Sequence, residues 1–64
     1  MNRLKEVREE RNISQVKLAE MSGVSRQTIS KIEADPAAVF KVDTLQALAN
    51  ALGVSIEDIF YSER

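Results

Sequence analysis

The sequence predicts an all-α fold, five short helices packed compactly around one core. Three observations predict it. Apolar residues recur at the three- and four-residue spacing of a helix through most of the chain. A residue able to cap a helix precedes the periodic stretches, and glycine or Asp-Pro follows several of them. Two glycines and one proline among 64 residues supply little turn material for a sheet protein.

In the first helix, Leu4, Val7, Arg8 and Arg11 fall at i, i+3, i+4 and i+7, on one face, with Asn2 as its cap. Asn12 suits the left-handed stop and Ile13 a buried connector. Ser14 opens a second helix in which Leu18, Ala19 and Ser22 share a face, and Gly23 ends it where a positive φ is easiest. Val24 is the apolar residue of a tight turn. Ser25 then caps a third helix with Ile29, Ile32 and Glu33 on its inner face, and Asp35-Pro36 ends it, because the residue before proline avoids the α region. Residues 36–42 read as a loop with one apolar pair, Val39-Phe40. Val42, Leu45, Ala49 and Leu52, with Leu48 beside them, make the stripe of a fourth helix that Gly53 stops. Ser55 and Asp58 have capping-box spacing before a last helix carrying Ile56, Ile59 and Phe60. No repeat, linker or low-complexity segment interrupts this order, so residues 1–64 read as a single domain.

With no cysteine and no histidine, disulfides, thiolate chemistry, a zinc site and a Ser–His pair are all excluded. No glycine-rich loop is present, so neither an enzyme nor a bound cofactor is expected. No apolar run is long enough to cross a membrane or act as a signal peptide, which points to a cytoplasmic binding module. The net charge of −1 argues at first against a nucleic-acid partner. Its distribution reverses the argument. Residues 1–33 carry seven bases against five acids, and residues 34–64 carry two against five, so a basic face can sit under an acidic total.

The segment from Gln15 to Ala34 carries the function. A small residue at Ala19, Gly23 four positions later, and Ile29 and Ile32 on the inner face of the next helix set two helices at the steep angle of a helix-turn-helix. With Ile29 at the centre of the buried face, Gln27 and Lys31 point nearly opposite, flanked by Ser30 and Thr28, while Arg26 reaches forward from the first turn. Arg and Lys suit guanine O6 and N7, and Gln suits adenine; the plainer alternative is a solvated helix face. Arg8 and Glu33 each lie on the inward stripe of their own helix, a costly place for a lone charge. Pairing across the two helices is the economical arrangement, and snorkelling to the edge the alternative.

The stretch Ile13-Ser14-Gln15, Leu18-Ala19, Gly23 through Glu33, and Leu45, Leu48-Ala49, Ala51-Leu52-Gly53-Val54 resembles the XRE or Cro-type, lambda-repressor-like helix-turn-helix family. The resemblance runs from Leu4 to Phe60. It implies a regulator of double-stranded DNA with the third helix in the major groove, base-reading by Arg26, Gln27, Thr28, Ser30 and Lys31, and phosphate contacts from Gln15, Ser25 and Lys41. It further implies that Gln15 braces Arg26, that Arg8 and Glu33 pair, and that two copies join near the C-terminal end. The loop before Lys41 departs from the family's usual basic, Asn/Gly-rich form, which weakens the phosphate contact expected there.

One such helix reads only a few base pairs. A homodimer reading half-sites roughly 34–36 Å apart is therefore expected. Its surface is expected within residues 54–61, from Ile56, Tyr61 and part of Phe60, with Val39 and Phe40 also short of cover; the alternative is that Ile56 and Tyr61 cap the core from outside. No residues are left over for a ligand-sensing domain, so no small-molecule effector is expected. A protein-interaction module that keeps the fold without binding DNA, such as a toxin-neutralising partner, is the competing reading, favoured by the acidic total.

Overall fold

Helix boundaries fall where the chain supplies or withholds partners for terminal backbone groups. The computed structural model describes residues 2–35 and 40–60, in the order α1 (Leu4–Glu10), α2 (Gln15–Ser22), α3 (Arg26–Ala34), α4 (Val42–Leu52) and α5 (Ile56–Ile59). Pro36, Val39 and Tyr61, each given a role above, lie outside the described residues.

At α2 the Ser14 hydroxyl accepts the Lys17 N–H at 3.0 Å, and at α3 the Ser25 hydroxyl accepts the Thr28 N–H at 3.1 Å. At α5 the Asp58 carboxylate accepts both the Ser55 N–H (3.1 Å) and the Ser55 hydroxyl (2.9 Å). α1 departs from expectation. Its cap position is Arg3, without a capping side chain, and Asn2 stands one residue earlier. Asn2 still accepts the Leu4 N–H on Oδ1 at 3.1 Å, while its Nδ2 donates to the Ile32 carbonyl at 3.1 Å. The residue expected to cap α1 thus also ties α1 to the end of α3. The stops fall as expected: Asn12 and Gly23 have φ of 56° and 77°. Space around Gly23 is open, so the backbone angle alone favours glycine there.

Leu4, Val7, Leu18, Ile29, Ile32, Leu48, Ala49, Leu52 and Ile59 form the buried core. α2 packs on both α3 and α4, α4 on α5, and α1 on α3. Arg3 N–H donates to the Ile59 carbonyl at 2.8 Å, and Asn2 and Phe60 form an isolated antiparallel bridge, which closes the fold on itself. Two expectations about cover are corrected. Val42, placed in the α4 stripe, is 69% exposed: it is the first residue of its helix, and contact with the core begins at Leu45. Ile56 and Phe40, expected to lack cover, are half-buried and packed against the core, as is Phe60. No helix among the described residues is long and apolar enough to cross a membrane.

Candidate nucleic-acid interface

The turn between α2 and α3 is held by its own polar groups. Gly23 N–H donates to the Ala19 carbonyl at 3.0 Å. The Ser22 hydroxyl donates to the Leu18 carbonyl (2.7 Å) and accepts the Val24 N–H (3.1 Å), so one side chain spans the end of α2 and the turn. Burial of Ile29 and Ile32 fixes the rotation of α3 about its axis. The opposite face then presents Arg26, Gln27, Ser30 and Lys31, all exposed, which with Ala34 line an open depression along the helix. Among the described residues none of these four side chains makes a hydrogen bond or ion pair, so their donors remain open to a ligand. Thr28 stands apart from them. It is half-buried, and its Oγ1 accepts the Ser25 hydroxyl at 2.9 Å, within the cap of α3. Lys41 is exposed at the cap position of α4 and makes no capping side-chain hydrogen bond among the described residues.

Behind this surface lies a polar network. Arg8 Nε donates to Glu33 Oε2 at 2.8 Å and Nη2 to Oε1 at 3.1 Å, while Nη1 donates to the Ile13 carbonyl at 2.8 Å. The two side chains are 10% and 6% exposed. Gln15 Nε2 donates to the same Glu33 Oε1 at 3.0 Å. The resemblance had pointed this glutamine at Arg26, but its carboxamide is turned to Glu33. The carboxylate is the stronger acceptor, whereas a guanidinium offers only donors. Nothing in the sequence pattern announced this bond, since 18 residues separate its partners. No buried side-chain nitrogen or oxygen among the described residues lacks a partner.

Burial pushes the Glu33 carboxyl upward, but hydrogen bonds from Arg8 and Gln15 and the nearby positive charges of Arg8 and Lys5 outweigh it, holding the group below its ordinary 4.5. The hydrogen bond to Glu33 likewise raises the Arg8 guanidinium, against the cost of its burial. A folded-state value below the unfolded one stabilises the fold above the unfolded value, and that stability is lost as pH falls through the folded value. Urea midpoints should therefore drop more steeply as pH falls below 4.5 for the wild type than for Arg8→Met/Glu33→Gln. Parallel pH profiles would remove Glu33 as a source of acid sensitivity.

The helix-turn-helix family profile matches residues 4–59. The chain is 39% identical over 64 residues to the immunity repressor protein of Bacillus phage phi105, covering 95% of this chain and 42% of that protein. It is 38% identical over 58 residues to the HTH-type transcriptional regulator PuuR of Escherichia coli K12, covering 91% of this chain and 31% of the regulator, with the same figures for PuuR of Shigella flexneri. The chain therefore spans less than half the length of these curated relatives.

Proposed function

Since the chain belongs to the helix-turn-helix family, of the XRE type, we propose that it binds double-stranded DNA sequence-specifically and regulates transcription, with α3 in the major groove. The observation that carries this reading is the face of α3 opposite Ile29 and Ile32, where Arg26, Gln27, Ser30 and Lys31 are exposed with uncommitted donors. A merely solvated face would need no such set of base-edge chemistries in a helix whose rotation is fixed. The names of the relatives, a phage repressor and a transcriptional regulator, support the same class of activity. Gln15, Ser25 and Lys41, near the starts of α2, α3 and α4, are suited to backbone phosphates, where helix N-termini attract anions. Thr28, tied into the α3 cap, contributes through that cap and through whatever donor capacity its hydroxyl retains.

Selection of duplexes from random DNA tests the reading. Alanine at Arg26, Gln27 or Lys31 should cost about 1–3 kcal/mol on the selected site and relax preference at one or two base pairs. Affinity should also fall steeply with salt. A protein that binds no duplex at low salt would instead be an interaction module.

The regulator acts as two copies on a two-fold site, because one nine-residue helix reads too few base pairs to select an operator. The second copy docks along α5, on the outward parts of Ile56 and Phe60. Both residues also pack inward, so the contact is modest and DNA reinforces it. Sedimentation of wild type and Ile56→Asp, with and without operator, should show a DNA-dependent dimer lost in the variant. One-to-one binding of a single half-site by a wild type that stays monomeric would contradict the dimer.

A further inference from the structure

We propose that Glu33 is a positioning residue for DNA-backbone binding: its carboxylate, neutralised by Arg8, holds the Gln15 carboxamide in place at the start of α2. The inference rests on the reading of this surface as a DNA interface and adds to it a residue that never touches DNA.

Gln15 stands at the outer end of this network. It is the first residue of α2, where amide groups unpaired within the helix and the positive end of the dipole favour an anion. A glutamine in the first turn of a short helix ordinarily samples several rotamers. Here Nε2 donates to Glu33 Oε1 at 3.0 Å, and because this nitrogen carries two hydrogens, one remains for a phosphate oxygen.

The acceptor is itself immobilised. Arg8 grips both oxygens of Glu33, and its third contact is the carbonyl of Ile13, two residues before Gln15. One guanidinium thereby fixes both the backbone leading into α2 and the acceptor that aims its first side chain. α1, the connector, α3 and α2 meet in one chain of hydrogen bonds.

Charge decides why the acceptor comes as a pair. A bare carboxylate beside a helix start that attracts anions would repel an approaching phosphate. Arg8 cancels that charge while leaving Oε1 able to accept from Gln15. Apolar residues of equal volume could replace a buried ion pair with little loss of stability, or even a gain. They would offer Gln15 no acceptor. The pair is thus accounted for by what it holds in place.

Ordering a flexible side chain on binding costs enough that losing this anchor should weaken DNA binding roughly three- to tenfold. The experiment compares wild type, Gln15→Ala, Arg8→Met/Glu33→Leu and the triple variant on one selected duplex. The charge-paired replacement leaves the net charge unchanged. The double variant should bind roughly three- to tenfold more weakly. Gln15→Ala, which weakens the wild type, should cost nothing further in that background. Arg8→Met/Glu33→Gln, which restores an oxygen acceptor, should recover most of the loss. Additive losses, or no recovery, would overturn the proposal.

Nuclear magnetic resonance of the DNA-free wild type provides an arm independent of variant folding. The two Gln15 carboxamide protons should be well separated in shift, the one bonded to Glu33 standing apart from free-glutamine values; shifts of a free glutamine side chain would overturn the positioning role. If Arg26→Ala and Gln27→Ala weaken binding but Gln15→Ala does not, this inference fails and the DNA reading stands. A wild type that binds no duplex overturns both.

Discussion

Arg8→Met is expected to cost about 3–5 kcal/mol, enough to leave much of the protein unfolded at 25 °C. A domain of this size has only about 5 kcal/mol to lose. The substitution removes three donors at once, two from Glu33 and one from the Ile13 carbonyl. It strands a carboxylate whose side chain is 6% exposed, with a single hydrogen bond from Gln15 remaining. Methionine fills similar volume, so lost packing contributes little. Removing the second charge as well should restore part of the stability, because Arg8→Met/Glu33→Gln leaves no buried ion. Urea denaturation of both single variants and the double variant measures the coupling. Strict additivity would mean that the two groups, though 2.8 Å apart, do not act as a unit.

Leu48→Ala should be nearly as damaging, at about 2–5 kcal/mol, whereas Val42→Ala should stay within about 0.5 kcal/mol. Both residues are on α4 and both belong to the apolar group read from the sequence. Leu48 is fully buried in the core, while Val42 is 69% exposed at the first position of the helix. Truncating Leu48 opens a cavity among neighbours that cannot fully collapse, and truncating Val42 removes atoms already in water. Thermal melts of the two variants rank them directly. Equal costs would mean that the start of α4 packs against something beyond this core.

The contrast between these residues shows what periodicity reveals and what it does not. Spacing reports the direction in which a side chain leaves its helix, so Ile29, Ile32, Leu48 and Leu52 were legible as inward-facing from order alone. It does not report how much of the axis the core covers, and Val42, at the first position of α4, is exposed. Caps were legible because they act within three residues: Ser14 and Ser25 bond amides three positions on. The outward face of α3 followed from the same arithmetic, since fixing Ile29 fixes Gln27 and Lys31 opposite it. The partners of Arg8 were half legible. Two charges on inward stripes implied each other, but the bonds to Ile13 and Gln15 depend on how α1, α2 and α3 meet. Asn2 is a further case, since its bond to Ile32 crosses 30 residues of sequence.

The closure between Arg3 and Ile59 has a consequence for hydrogen exchange. An amide just ahead of a first helix has no partner within that helix, and ordinarily exchanges with solvent at the rate of a frayed turn. Here Arg3 N–H is held by the Ile59 carbonyl at 2.8 Å, beside the bridge between Asn2 and Phe60. Ile59 is in turn fully buried among the core residues. Exposing that single amide therefore requires α1 to part from α5 at a point where the core begins. Its exchange rate would report the opening of the whole helical cluster from a position where local fraying is the norm.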